Sequence, residues 1–376
     1  MTEIPNINIG VINPYALAEV ILKKRINWAN IENPHQLLEK TIGMPYEKLF
    51  DPKYNSPLYA GLKYESKTAT VSRPADISTA IGVPKELVEA AATITWVYTG
   101  GEYFECGTEF TDPVQGAVGD CYFIAALASV AWARPYVISE RKCSMGPSKT
   151  EKDILDFFEF YNGGTAEKVE ITQSLPMVNN SFIYARSSEV GELWPALYEK
   201  AFGKWKTKDQ SDQPDILKIA GGDPVWALSI LTNLVPNYRF NNSLSADTIW
   251  QTVRANSISC KTFNPMVAWT YPTAPPGVDY NNAHIAASHA YSILGWAFNA
   301  NQEYIILRNP WGTYESDPKV ANIITWVAWD QPYYGDPHGW WRPIDMATND
   351  GIFALSSDTF QKYFQGFGWV KTPESP

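Results

Sequence analysis

The sequence predicts an α+β fold, a helical half followed by a sheet-rich half around a cleft. Three observations lead to it. QGAVGDCYFIAALASVAW (115–132) carries apolar residues at helical spacing. ELWPALYEKAFGKW (192–205) sets large rings four residues apart. AYSILGWAF (290–298) and EYIILRN (303–309) are short β-branched and aromatic runs separated by the turn NANQ (299–302).

Taken in chain order, residues 1–95 read as an N-terminal extension of unknown role. NPYALAEVILKKRINWA (13–29) and PKELVEAAATITW (84–96) are helix-like, and FDPKYNSPLYAGL (50–62) between them is turn-rich. No chemical motif stands out there. Residues 96–238 form the helical unit. Asp120 is placed to cap a helix that Ile124, Leu127, Ala128 and Ala131 continue and Pro135 ends. Pro195 suits the first turn of the next helix, whose Trp194, Tyr198 and Phe202 share a face. DTIWQTVRAN (247–256) is a third helix, inside the sheet-rich unit of residues 239–376.

Composition narrows the function. The chain has 376 residues, 45% hydrophobic and 19% charged, which describes a core-forming protein. Its 15 tryptophans suit a large aromatic core or a ring-lined cleft. A net charge of −10 argues against nucleic-acid or anionic-membrane partners. No apolar run reaches the ~20 residues of a membrane span. Four cysteines without a CxxC pair are not a disulfide framework. The start MTEIPNINIG lacks the basic and apolar parts of a signal peptide, so the expected setting is reducing and cytoplasmic. The oligomeric state is not legible.

Cys121 carries the chemical reading. At the first position of a helix its sulfur would lie near unpaired N–H groups and the positive end of the dipole, which favour thiolate. By itself such a cysteine reads more readily as a small packing residue. His289 begins the first strand of the expected hairpin and Asn309 ends the second, so folding about 299–302 brings both to one end. A Cys-His-Asn triad needs that arrangement: the amide oxygen fixes the imidazole tautomer and the imidazole pairs with the sulfur. Gln115, six residues before Cys121, can return its amide to an oxyanion beside the cysteine N–H. The same triad also serves acyl transferases, and a protease-like interaction module without activity is the non-enzymatic alternative.

These segments resemble the calpain family of cysteine proteases. QGAVGDCYFIAALAS is similar to the family's Gln-Gly-x-x-Gly-Asp-Cys motif, HAYSILGW to its histidine segment, and LRNPWG to its Asn-Pro-Trp-Gly segment. ELWPALYEKAFGKW and GIFALSSDTFQKYF resemble the intervening helix and the end of the core, and LFDPKYNSP (49–57) echoes the stretch before it. The resemblance spans roughly residues 100–366 and implies a papain-like fold of two subdomains. It also implies limited proteolysis of protein substrates by Cys121, His289, Asn309 and Gln115. Trp311 would be the cleft tryptophan that moves to make the site productive, and Gly221 and Gly222 would lie along substrate backbone.

Calcium in each subdomain is implied as well, with no organic cofactor. Asp112 and Glu192 match first-site carboxylates, and Glu105 and Gly107 match positions that donate carbonyls. Glu315 and Asp350 match the second site, but Ile352 stands where the family has Glu, so the first site is the stronger expectation. Tyr122 replaces a Trp, and Ser288 stands before His289 where the family has Gly. No EF-hand loop follows Gly366 in this sequence.

Overall fold

The helix Cys121–Ala133 is apolar on every side, and Cys121 through Trp132 are all buried. A helix of that kind belongs inside a molecule. In the computed structural model it lies between a large antiparallel sheet and the helices Trp194–Thr207 and Pro224–Thr232, while Ala246–Ala255 and Ser357–Tyr363 pack on the sheet's other face. The structure describes residues 7–28, 31, 33–42, 94–105, 107–141, 143–145, 155–178, 180–313, 326–328, 342–344, 346 and 350–372.

The large sheet has seven strands. Its path runs Ile352–Ser356, Gln302–Arg308, Ala290–Asn299, Lys261–Thr270, Phe364–Lys371, Val235–Phe240, with Ser257–Ile258 paired to Lys261–Thr270 off that path. The expected hairpin forms with Asn299 opposite Gln302. Ala300 and Asn301 adopt φ of 48° and 61°, the left-handed pair that a tight two-residue hairpin turn requires. Alternation sorts the sheet's side chains. Tyr291, Ile293, Ile305 and Leu307 join a core with Trp250, Phe353 and Phe360, while Ala290, Leu294 and Ile306 face the Cys121 helix.

Polar groups lock helix to sheet. Ser129 Oγ donates to Met266 O and accepts from Met266 N, both at 2.8 Å. Ser292 Oγ donates to Ala125 O and Trp132 Nε1 to Leu294 O, each at 2.7 Å. Buried bonds of this sort contribute about 1 kcal/mol each and leave costly orphans when broken. They set the helix's long position on the sheet, so its first residue falls at the end where His289 and Asn309 emerge.

Three features differ from the sequence reading. First, the helical unit carries strands of its own. Leu155–Asn162 pairs with Thr165–Thr172 through Gly163 and Gly164, whose φ values are 56° and 89°. Asp156, Phe158 and Phe160 are buried in alternation, which the sequence does not display because Leu155, Phe157 and Tyr161 on the other face are apolar too. Second, the boundary drawn at 238/239 falls inside the strand Val235–Phe240, which pairs with Phe364–Lys371. Third, the described part of the extension is not set apart. Ile9, Val11, Ile12, Tyr15, Val20 and Trp28 share one core with the Cys121 helix. Glu19 anchors them, accepting from Trp28 Nε1 at 3.0 Å and from Arg186 Nη2 at 2.9 Å. Of the two helices expected there, Pro14–Leu22 forms, capped by Asn13. The other lies largely outside the described residues; its last two residues, Thr95 and Trp96, begin a strand.

Candidate active site

Three elements deliver the site. The helix brings Cys121, the strand Ala290–Asn299 brings His289 at its entrance, and the strand Gln302–Arg308 delivers Asn309 at its exit. His289 Nε2 lies 2.9 Å from Asn309 Oδ1. Asn309 Oδ1 also accepts the Trp311 N–H at 3.1 Å. Two donors on one oxygen fix the amide, and the amide places the imidazole proton on Nε2. Nδ1 is then the basic nitrogen, and among the described residues it has no hydrogen-bond partner. The His289 backbone is held by Thr270, whose Oγ1 accepts the His289 N–H at 3.0 Å and donates to Ala286 O at 2.7 Å. The Trp311 ring covers the imidazole, centroids 4.6 Å apart at 43°.

Cys121 opens the helix packed on the strand Ala290–Asn299. Its sulfur faces the backbone N–H groups of Ala290 and of Val11. The expectation of a lowered thiol pKa is overturned. Burial pushes the thiol up to about 12, outweighing those N–H groups. Burial likewise pulls His289 down to about 3, against the Asn309 bond. In this state the pair is neutral thiol and neutral imidazole. The helix N-terminus cannot reverse this, because its contribution is a kcal/mol or two while full burial of a charge costs several.

Asp120 also departs from expectation, making no side-chain capping bond. Its carboxyl faces that of Glu199, whose Oε1 accepts the Ala185 N–H at 3.0 Å. Burial lifts Asp120 to about 7, and burial plus Asp120 holds Glu199 well above the usual carboxylate range. The two acids face each other at the start of the Cys121 helix, a pairing the sequence reading did not make.

Gln115 is fully buried, its N–H bonded to Pro310 O at 2.9 Å. Its Nε2 donates to Val11 O and Val118 O, both at 2.6 Å. Gly221, at φ 76°, donates its N–H to Gly119 O at 2.8 Å, and Gly222 pairs with Ile9. Ser288 sits at φ 52°, a left-handed conformation that glycine takes freely and serine does not. The contacts of Val11 and Ile9 with this site had no signal in the sequence, because ordinary apolar residues make them through their backbones.

Asp112 and Glu192 are brought together some way from the sulfur, both buried. Asp112 Oδ2 accepts from Trp194 Nε1 at 3.0 Å and Glu109 N at 2.8 Å. Glu192 accepts from Glu105 N at 3.0 Å and Ser187 Oγ at 2.6 Å. Asp112 Oδ1 is buried and has no hydrogen-bond partner among the described residues. Burial, then Glu192, raises Asp112 to about 8. Two buried carboxylates with one oxygen unsatisfied fit a hard cation that takes its other ligands from carbonyls and water. Gly107, at φ 116°, lies two residues beyond Glu105. Among the described residues no group of three or more His, Cys, Asp or Glu is set to hold a metal. Of the second-site residues, Glu315 lies outside the described residues. Asp350 accepts the Ile352 N–H at 3.0 Å, and Ile352 is buried in a strand.

The chain is similar in sequence to known proteins. A thiol protease of Porphyromonas gingivalis is 27% identical over 438 aligned positions, covering 94% of this chain and 86% of that protein. Calpain-8 of Rattus norvegicus is 25% identical and calpain-9 of Homo sapiens 26%, matching 69% and 70% of this chain. These matches span about a third of each calpain, 35% and 36% of its length. The family model for the calpain family cysteine protease matches residues 49–369, which takes in Gln115, Cys121, His289 and Asn309 but not Ile9 or Val11. With that model matched over most of its length, the chain belongs to the calpain family of cysteine proteases.

Proposed function

We propose that the protein is a calpain-like endopeptidase that cuts protein substrates at limited sites through Cys121, His289 and Asn309. The observation that carries this reading is the imidazole, tied by Nε2 to Asn309 with Nδ1 unbonded among the described residues, on the residue next to Ala290, whose N–H faces the Cys121 sulfur. In the working state Nδ1 takes the thiol proton. The thiolate attacks the scissile carbonyl carbon, a C–S bond forms and the carbonyl π pair moves onto oxygen. The Gln115 amide and the Cys121 N–H bind that oxyanion, one such donor being worth ~10²–10³ in rate. As the C–N bond breaks, the imidazolium gives its proton to the leaving amine. Water, deprotonated by His289, then hydrolyses the thioester. The two subdomains would stand in the papain-like manner, with Trp311 shifting off the imidazole to admit substrate.

Asp112 and Glu192 would hold a calcium ion, with the Glu105 and Gly107 carbonyls, and the ion would supply charge compensation for two buried carboxylates. Calcium should raise the melting temperature of the full chain, a chelator should reverse that, and Asp112→Asn should abolish the response. The catalytic reading is tested with Cys121→Ala on an unfolded protein substrate. Cleavage should vanish while the melting temperature stays within a few degrees. Undiminished cleavage by pure Cys121→Ala would refute the assignment.

A further inference from the structure

The N-terminal segment 9–13 lies along Gly119, Gly221 and Gly222 and against Cys121 and Gln115. Ile9 and Gly222 exchange backbone hydrogen bonds, Ile9 N to Gly222 O at 3.1 Å and Gly222 N to Ile9 O at 3.0 Å. Gly10 passes so close to the groove wall that a Cβ there would stand 2.2 Å from Gly119 O and 2.8 Å from Gly221 N. Val11 turns its N–H toward the sulfur of Cys121 and its carbonyl onto the Gln115 amide at 2.6 Å. Asn13 closes the run. Its N–H donates to Gly116 O at 3.0 Å, and its Nδ2 to Gln115 O at 2.8 Å and Trp311 O at 3.4 Å. The groups that would grip a substrate's backbone are therefore already occupied: the glycine rim, the oxyanion donor, the sulfur and the Trp311 turn. Tyr15 follows, its ring 6.3 Å from that of Trp311.

We propose that residues 9–13 are an autoinhibitory strap, a tethered occupant of the groove whose departure exposes Cys121 and His289 and permits catalysis. The proposal rests on the reading of Cys121 as nucleophile. A segment attached to the same chain competes at the effective concentration of an intramolecular ligand, so modest contacts suffice to keep it seated. Its hold is mostly backbone hydrogen bonding to a glycine-lined wall. That fit demands no side chain at position 10, and it asks nothing recognisable of the neighbouring sequence. The burial that leaves thiol and imidazole neutral is provided in part by this segment, so the same movement that opens the groove restores solvent to the pair.

The test uses the full chain with two variants, Gly10→Val, which cannot fit between Gly119 and Gly221, and Asn13→Ala, which removes the closing amide. Alkylation of Cys121 by iodoacetamide at pH 6 is followed by mass spectrometry, and hydrolysis of an unfolded protein substrate is measured alongside. The strap predicts at least ~10-fold faster alkylation in Gly10→Val and a smaller rise in Asn13→Ala, because an accessible low-pKa thiol replaces a covered one. Alkylation no faster than in the unmodified chain, in variants with unchanged circular dichroism, would overturn it. Faster alkylation without hydrolysis would uphold the strap and sink the protease reading instead. Should either variant fail to fold, hydrogen exchange of the unmodified chain decides. An N-ethylmaleimide adduct on Cys121 should strip protection from residues 9–13 and leave the helix 121–133 protected. Undiminished protection of 9–13 in the adduct would overturn the proposal.

Discussion

Asn309→Ala tests the centre of the site. Asn309 is fully buried, and its one amide oxygen serves the imidazole at 2.9 Å and the Trp311 N–H at 3.1 Å. Alanine removes the acceptor and leaves two buried donors. Each orphan costs about 1–3 kcal/mol, so the sum is about 2–6 kcal/mol, with the lower half expected because a water can enter the space of the lost amide. The rate should fall further than stability alone explains. Without Oδ1 nothing selects the Nε2 tautomer, and the orienting partner of a catalytic imidazole sets a ceiling of ~10⁴ when it is a carboxylate. A neutral amide should be worth less, on the order of 10² in kcat with KM nearly unchanged. Asn309→Asp is the control. It keeps an oxygen for both donors, preserves stability at neutral pH and raises the imidazole pKa through its charge. Urea unfolding gives the first quantity and steady-state hydrolysis the second. Should Asn309→Ala unfold within about 0.5 kcal/mol of the parent at an unchanged kcat, the bridging role of Oδ1 is wrong.

Three further outcomes follow from the same geometry. His289, held at about 3 by burial against an ordinary 6.5, binds fewer protons folded than unfolded between those values, so stability should fall as pH drops through that window. Urea midpoints at pH 7 and pH 4 should therefore converge in His289→Asn, by on the order of 4 kcal/mol at most. Asp120, lifted to about 7, acts in the opposite sense: its folded form keeps a proton that the unfolded chain has lost, so stability declines as pH rises from about 4 to 7. Asp120→Asn should flatten that decline, which the same titration series reads directly. Ser288, at φ 52°, should gain about 1 kcal/mol on replacement by glycine through relief of left-handed strain, seen as a raised melting temperature.

Local pattern and chemistry already settled much of this protein. Spacing located the Cys121 helix and the hairpin, and the hairpin's two-residue turn alone required His289 and Asn309 to share an end, since antiparallel pairing ties register to the turn. The pairing of Asp112 with Glu192 was legible only as a likeness between motifs, 80 residues apart. The hairpin Leu155–Thr172 was missed although Gly163-Gly164 marks its turn, because Leu155–Asn162 carries apolar residues on both faces.

What the sequence could not decide was protonation and occupancy. A cysteine at a helix start looks activated, because the dipole is a local property. Whether it is activated depends on what covers it, and that is a property of the whole fold. Here Val11 and Ala290, 110 residues before and 169 after Cys121, close over the sulfur, and desolvation outweighs the dipole. Likewise Ile9–Asn13 has no motif to read, since its grip on the groove is made by peptide groups common to every residue. Only the tertiary path of the chain brings those groups against Gly222, Gln115 and Gly116.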